Sequence, residues 1–213
     1  MYKLPSKPKS SKNCLQSLLT VAAVALIASC SSDGDSDSAS STTTSQSTLQ
    51  GDWQGPCVAD DETGSISRLS FDGNSVMQTD VIYPGSSTCN TGAIFSLVSE
   101  GNFSLPNGAT TTSRGEAQHI DLDFIAVEAT SSPAFDFALM EQGLTFEQQL
   151  QTNLGITDIS NISPEALGAP VPFFTLVLID GDTLYVGDLE SNQGNSAETR
   201  LVELDSENVF TRQ

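Results

Sequence analysis

An alternation of apolar and polar residues with a period of two runs through most of the chain beyond residue 50 and predicts β-strands. Two such runs, 66–71 and 76–83, flank Asp72-Gly73-Asn74, a turn signal that predicts a hairpin. The remaining runs that predict strands are 52–57, 93–98, 102–105, 119–124, 173–179, 183–187, 199–204 and 208–212. Short strands in this number predict an all-β sandwich or barrel.

The strand pattern is interrupted between residues 131 and 172. Three apolar residues recur at every fourth position and predict a helix within 135–154: Phe146, Leu150 and Leu154. The segment Thr145-Phe146-Glu147-Gln148 has the form of a capping box, and Ser163-Pro164-Glu165 predicts the start of a second short helix. We expect this insert to pack over one end of a barrel; the alternative is a lid over an apolar interior.

The first 29 residues have the pattern of an export signal. All the lysines of the chain lie within residues 1–12, where no acid occurs, and residues 15–28 are almost wholly apolar. A basic start followed by a short apolar run is typical of a signal peptide. The run is shorter than the roughly 20 residues that a membrane-spanning helix requires.

The segment Leu26-Ile27-Ala28-Ser29-Cys30 resembles the bacterial lipobox. The resemblance implies cleavage before Cys30, a diacylglycerol on its thiol and a fatty acid such as palmitate on its new amine. Each buried methylene contributes about 0.8 kcal/mol, so several acyl chains would hold this lipoprotein stably in a bilayer. By the same resemblance, Ser31 favours the outer membrane of the bacterial cell envelope. The alternative is an ordinary secretory signal with an incidental cysteine.

Residues 30–48 consist mostly of Ser, Thr, Asp and Gly, which predicts a flexible linker, and residues 49–213 then form one domain. Beyond residue 29 the chain carries 27 acidic residues and four arginines, a formal charge of −23. This acidity excludes a basic surface for nucleic acid. It is typical of solubility in salty surroundings, and a dedicated cation-binding role is the alternative.

Cys57 and Cys89 are the two cysteines of the expected domain. In an exported protein we expect such a pair to form a disulfide. A reactive thiol or a metal site would require a histidine nearby, and His119 is the one histidine of the chain. Because His119 alternates with the apolar Ile120 in a predicted strand, we expect it on the polar face as a solvated surface residue.

The domain opens with Gly51-Asp52-Trp53, and Gly-x-Trp on a first strand resembles the lipocalin signature. In that family the tryptophan closes one barrel end and packs against an arginine from a late strand. The resemblance assigns these roles to Trp53 and to Arg200 or Arg212. Further positions similar to small two-cysteine barrels of bacterial lipoproteins are Tyr83, Cys89, 184–187, Arg200, Leu204 and Phe210. The resemblance implies a small antiparallel lipocalin-like barrel of about 8–9 strands with a short helical insert.

The sequence contains no Gly-x-Ser-x-Gly, no dinucleotide fingerprint and no cluster of histidines and cysteines. No acid is singled out by its position for carboxylate catalysis. The sequence therefore favours a non-enzymatic, membrane-anchored binding module for an apolar small molecule or lipid, with no metal, cofactor or nucleic acid. The alternative is an envelope-structural or surface interaction lipoprotein with a filled core, and a hydrolase that uses His119 is a third hypothesis.

Overall fold

The computed structural model describes residues 44–59, 63–84, 88–90, 92–154, 158–159, 162–163, 172–187 and 194–213. Within these ranges the strands are β1 (Gly51–Ala59), β2 (Thr63–Asp72), β3 (Ser75–Pro84), β4 (Phe95–Ser104), β5 (Ala109–Thr112), β6 (Gly115–Ser131), β7 (Phe173–Asp180), β8 (Thr183–Gly187) and β9 (Leu204–Arg212). The helices are α1 (Gln46–Leu49), α2 (Pro133–Glu141), α3 (Phe146–Leu154) and a 3-10 turn at Ala197–Thr199.

Eight of the strands form a closed antiparallel barrel, which confirms the predicted fold class. Their order around the barrel is β1-β2-β3-β4-β6-β7-β8-β9, and β9 pairs with β1 to close it. Strand β5 continues the line of β4 along the same edge of the long strand β6. Neighbouring strands follow one another along the chain, so short turns suffice for most connections.

Three irregularities in strand pairing accompany the curvature that closure requires. One extra residue lies in β1 between Gln54 and Cys57, next to Pro56, which lacks the N–H that a regular ladder would use. Another irregularity is in the pairing of β8 with β9, between Tyr185 and Gly187. The third is in β6 at Ile125, which is exposed while Phe124 and Val127 are buried.

Apolar side chains fill the end of the barrel at which β1 begins, called here the Trp53 end. The residues buried there are Leu49, Trp53, Leu69, Phe71, Val76, Phe103, Ile120, Leu122, Phe124, Phe173, Val177, Ile179, Leu184, Val186, Leu201 and Phe210. Helix α1 covers this end, and the Trp53 indole donates to the Leu49 carbonyl at 2.8 Å. Because Trp53 is fully buried, its N–H requires such an acceptor.

Arg212 completes the Trp53 end. Its guanidinium lies 4.1 Å from the centre of the Trp53 ring. It donates to the Gln50 carbonyl at 2.7 Å and to the Thr48 carbonyl at 2.8 Å. Of the two arginines that the lipocalin resemblance suggested, Arg212 is therefore the one that packs on the tryptophan. One charged side chain thus connects the last strand, the first strand and α1.

Arg200 lies on the seam between β6 and β7 instead. Its guanidinium donates to the carbonyls of Ile120 at 2.9 Å and Thr175 at 3.0 Å, and it pairs with the Asp121 carboxylate. The contact fixes the connection between β8 and β9 against the barrel wall. The prediction of a strand at 199–204 is wrong, because the chain forms a 3-10 turn at Ala197–Thr199 and β9 begins only at Leu204.

Helices α2 and α3 cover the opposite end, called here the helix end. The buried residues are Ile82, Phe95, Val127, Ala129, Leu139, Phe146, Leu150 and Ile162. The rings of Phe95 and Phe146 lie 5.7 Å apart, and Phe135 packs against both. This arrangement agrees with the expectation that the helical insert packs over one end of the barrel.

The helical segment differs from the sequence expectation in its continuity. It consists of two helices separated at Gln142–Thr145, where Gly143 has a φ of +74° that other residues rarely adopt. The predicted capping box is present, because Thr145 N–H donates to the Gln148 side chain at 2.9 Å and Gln148 N–H donates back to the Thr145 hydroxyl at 3.1 Å. The second helix predicted from Ser163 lies almost wholly outside the described residues.

Three further expectations differ from the structure. The strands predicted at 93–98 and 102–105 are one continuous strand, β4, and the threonine-rich strand β5 was not predicted. The last part of the predicted linker packs on the barrel, since Thr44 is buried and its hydroxyl accepts from Ile179 N–H at 3.3 Å. The signal peptide, Cys30 and the rest of the linker up to residue 43 lie outside the described residues.

The predicted disulfide joins Cys57 of β1 to Cys89 in the connection between β3 and β4. The two residues are 32 positions apart, so the bond closes a long loop that spans β2 and β3. A loop of this size stabilises a fold by about 3–4 kcal/mol through the entropy of the unfolded chain. The disulfide therefore ties the β3–β4 connection to the first strand at the barrel wall.

Replacing Arg212 should weaken barrel closure. In Arg212→Gln, the fold loses the cation–π contact and two charge-assisted hydrogen bonds, so we expect the free energy of unfolding to fall by about 2–4 kcal/mol. Urea unfolding followed by the fluorescence of Trp53, the single tryptophan, measures this loss. Arg68→Gln is the matched control, since Arg68 is exposed on β2, and should change stability by less than about 0.5 kcal/mol. Equal losses in both variants would show that Arg212 has no special role.

Candidate functional site

Strand β3 carries polar residues at positions that its alternation places on the inward face of the barrel. Val76 belongs to the apolar cluster of the Trp53 end, and Ile82 belongs to that of the helix end. Gln78 and Asp80 lie between them on the same face, because alternate residues of a strand share a face. The side chains of Gln78 and Asp80 therefore project into the barrel between its two apolar ends.

The neighbouring strands continue this polar level. Ser67 of β2 pairs with Asp80, and Ser99 of β4 pairs with Gln78. Each serine shares its strand face with buried core residues, Leu69 in β2 and Phe95 in β4. We call the four side chains Ser67, Gln78, Asp80 and Ser99 the polar level. The interior is thus apolar at both ends and polar between them on the side formed by β2, β3 and β4.

Two neutral donors contact the Asp80 carboxyl group. The Ser67 hydroxyl donates to Oδ1, and the Gln78 side-chain amide donates to Oδ2 at 2.9 Å. Burial raises the pKa of Asp80 above its ordinary value of 3.8, and these two hydrogen bonds offset the rise in part. The carboxyl group is enclosed by protein and has only neutral partners in this contact shell.

The members of the polar level are half-buried although they project into the barrel. By contrast, the core residues at the Trp53 end are almost fully buried. The interior is therefore packed tightly at the Trp53 end and retains accessible surface at the polar level.

The arginines of the chain all bind elsewhere. Arg200 pairs with Asp121, and Arg212 contacts Asp182 at 3.8 Å. Arg68 donates to the Gln54 side chain at 3.0 Å, and Arg114 lies 4.4 Å from the centre of the Tyr185 ring. Within the described part of the chain, Asp80 thus forms no ion pair.

Apolar residues border the polar level on the side toward the helix end. On β3, Ile82 follows Asp80 on the inward face, and Leu97 of β4 pairs directly with Asp80. Phe95 follows Leu97 on that face and packs under Phe146 of α3. A molecule at the polar level would therefore have hydrogen-bonding groups on one side and an apolar surface under the helices on the other.

The sequence-predicted site residues do not meet at the polar level. Trp53 and Arg212 lie at the Trp53 end, Arg200 is on the seam of β6 and β7, and Cys57 and Cys89 form the disulfide. Cys30 lies outside the described residues. The expectation that no acid stands out by position is wrong for Asp80, because the alternation of β3 already places it on the face of Val76 and Ile82.

His119 faces outward on β6, as expected, but it is not freely solvated. Its Nε2 lies 3.1 Å from the Thr110 hydroxyl, and its ring packs against Gly108. Burial and the nearby Arg200 lower the pKa of His119, and Asp121 acts in the opposite direction. The Asp121 carboxylate is engaged by Arg200 rather than by the imidazole. The Thr110–His119 pair therefore lacks the carboxylate that orients the base in a hydrolytic triad.

The described residues contain no group of three or more histidine, cysteine or acidic side chains placed to hold a metal ion. Nor does any described helix combine the length and apolar character that crossing a bilayer requires. A groove of about 420 Å³ lies on the outer wall of β1, β2 and β3, lined by exposed residues such as Asp52, Arg68 and Met77. It is open to solvent and holds no enclosed charged group.

Comparisons with known proteins assign no family to this chain. It matches no family model, and it matches no curated protein sequence.

Asp80→Asn should change the pH dependence of stability. The folded state raises the pKa of Asp80 and therefore favours its protonated carboxyl group. As pH rises above 3.8, Asp80 ionises first in the unfolded chain, and this ionisation lowers the free energy of unfolding. The asparagine variant lacks this loss, because Gln78 can turn its amide to accept from the new NH₂ group. Its stability relative to the unaltered chain should therefore increase as pH rises above 3.8, and this increase should end once pH exceeds the raised pKa of Asp80 in the folded chain.

Urea unfolding at several pH values tests this expectation. Asp123→Asn, which alters an exposed carboxylate on β6, is the matched control and should leave the pH profile of stability nearly unchanged. A stability difference between Asp80→Asn and the unaltered chain that does not vary with pH would contradict the assignment of an enclosed, ionisation-resistant carboxyl group.

Proposed function

We propose that this chain is a lipid-anchored protein of the bacterial cell envelope whose barrel binds a small amphipathic or lipid-like molecule in its interior. The observation that carries the proposal is the polar level. Ser67, Gln78, Asp80 and Ser99 project into a closed barrel, keep accessible surface there and lie next to apolar residues under the helices. Interior sites that combine an apolar wall with a few convergent polar groups are typical of small-molecule binding.

The energetic cost of the polar level favours a role in binding. Polar groups in a protein interior destabilise the fold unless they are fully hydrogen-bonded, and apolar residues would pack the same positions better. The Trp53 end of this barrel is packed mainly with apolar residues, and the fully buried Thr175 lies among them. The chain thus has the composition to fill its interior with apolar residues but groups four polar side chains in one level.

The helix end supplies a cover for this site. Helices α2 and α3 rest on the barrel through Leu139, Phe146 and Leu150, and the backbone at Val127 pairs with that at Ile162. The connection at Gly143 lets the two helices fold back over the barrel end. This arrangement supports entry of a ligand from the helix end, since the Trp53 end is closed by α1, Trp53 and Arg212.

The anchor and the barrel fit together geometrically. The described chain enters the fold at Thr44, beside β7 near the Trp53 end. The 13 residues between Cys30 and Thr44 can span at most about 50 Å. An acylated Cys30 would then connect the bilayer to the closed end of the barrel and leave the helix end free of the tether. The strongly acidic domain would itself be repelled by anionic lipid headgroups.

Cys30→Ser tests the anchor. Without a thiol the chain cannot receive the diacylglycerol, so we expect the variant in the soluble fraction after cell disruption, whereas the unaltered protein sediments with membranes. Cys14→Ser is the matched control and should leave the membrane fraction unchanged, because Cys14 lies within the predicted signal peptide. A Cys30→Ser protein that remains membrane-bound to the same extent would contradict the lipobox interpretation.

The interior site can be tested with the neutral apolar dye N-phenyl-1-naphthylamine and purified full-length protein. We expect saturable binding with enhanced dye fluorescence, because the apolar surface next to Ser99 shields the dye from water. Ser99→Phe would occupy that space and should weaken binding by roughly tenfold or more. Ser96→Phe is the matched control on the outward face of the same strand and should bind the dye normally.

Unchanged dye affinity in Ser99→Phe would place binding outside the barrel interior. No saturable dye binding by the unaltered protein would favour the alternative of an envelope-structural or surface interaction lipoprotein with a filled core.

A further inference from the structure

One member of the polar level, the Asp80 carboxyl group, indicates which class of amphipathic molecule the barrel would bind. Asp80 is an acid with an enclosed carboxyl group, two neutral hydrogen-bond donors and no ion pair within the described part of the chain. An ionised carboxylate in such surroundings is costly unless a positive charge lies close to it. The carboxyl group can avoid this cost either by keeping its proton or by meeting a cation, and a cationic ligand would favour the ionised form.

The chain itself has almost no positively charged side chain that could supply such a cation. Beyond residue 12 it contains no lysine, and its four arginines contact Gln54, Tyr185, Asp121 and Trp53 outside the polar level. The one histidine is on the outer face of β6. A ligand is thus the available source of a positive charge at Asp80, and the acidic surface of the domain would attract such a ligand from a distance.

The geometry at Asp80 suits an ammonium group with several N–H donors. Each carboxylate oxygen accepts one hydrogen bond from the protein and retains a lone pair for another donor. The hydroxyl oxygens of Ser67 and Ser99 and the amide oxygen of Gln78 can accept from the same group. Beyond them, Ile82, Leu97 and Phe95 offer an apolar surface toward the helices.

From this arrangement we propose that the barrel binds a primary ammonium attached to an apolar chain, with the nitrogen on the Asp80 carboxylate and the chain under α2 and α3. The inference rests on the interior binding proposed above and narrows its ligand class. A free alkylamine and an aminophospholipid headgroup both present this chemistry. The only bond broken is the O–H bond of any Asp80 carboxyl group that is still protonated, whose proton passes to solvent; the ammonium then forms an ion pair with the carboxylate.

The test compares two ligands of equal length on the unaltered full-length protein. Isothermal titration calorimetry at pH 7 measures the affinities of hexylammonium and of neutral 1-hexanol. We expect hexylammonium to bind at least roughly tenfold more tightly, because only it forms the charged hydrogen bonds. This comparison does not depend on the folding of any variant. Equal affinities for the two ligands would overturn the proposal of a cation site.

Variants then assign the preference to Asp80. Asp80→Asn should abolish the preference for hexylammonium and leave the affinity for 1-hexanol nearly unchanged. Asp123→Asn removes the same charge from the exposed surface of β6 and should keep the preference. A preference that survives in Asp80→Asn and is lost in Asp123→Asn would place the cation on the outer surface and contradict the proposal.

Failure of this inference can be distinguished from failure of the proposed function. If 1-hexanol and N-phenyl-1-naphthylamine bind in the interior without any preference for the ammonium, the barrel is a binding module but Asp80 does not recognise a cation. If neither neutral compound binds, the interior site itself is wrong. A further titration with lysophosphatidylethanolamine distinguishes the two sources of the ammonium. Displacement of hexylammonium by this lipid would identify the lipid headgroup as the ligand. A lack of displacement would identify the free amine.

Discussion

The contact of Arg212 with Trp53 is the interaction on which the rest of the structure depends. Strands β1 and β9 share only two register pairs among the described residues, Trp53 with Arg212 and Gln54 with Thr211. This is the shortest seam of the barrel, and Arg212 reinforces it through the indole ring and two carbonyls before β1. Closure removes the sheet edges and creates an interior, so every inward side chain depends on this seam.

Closure also explains why one carboxyl group is enclosed. In an open sheet the inward face of β3 would meet water, and Asp80 would be an ordinary solvated acid. In the closed barrel the same alternation places Asp80 between two apolar clusters, where burial raises its pKa and its contacts are to Ser67 and Gln78. The acidic composition of the chain favours solubility. It also leaves this carboxyl group without a partner cation from the chain.

Much of the fold could be predicted from the sequence, because a half-buried strand repeats its pattern every two residues. The hairpin at Gly73 and the turn at Gly181 follow from local chemistry alone. Strand β5 could not be predicted, since its threonines show no apolar alternation and pair only because β6 extends beside them. The failed strand at 199–204 has a similar cause, because Arg200 is fixed by the distant Asp121. The alternation in β3 indicates that Asp80 shares a face with Val76 and Ile82. That this face lies inside a closed barrel could not be predicted from the alternation.

The proposed recognition of a cation at Asp80 would be visible in a crystal structure of the full-length protein with hexylammonium. We expect the ligand nitrogen inside the barrel, about 2.7–3.2 Å from a carboxylate oxygen of Asp80, with the alkyl chain against Ile82 and Leu97. A structure in which hexylammonium occupies only surface carboxylates, while Asp80 contacts only Ser67 and Gln78 in a filled interior, would contradict it.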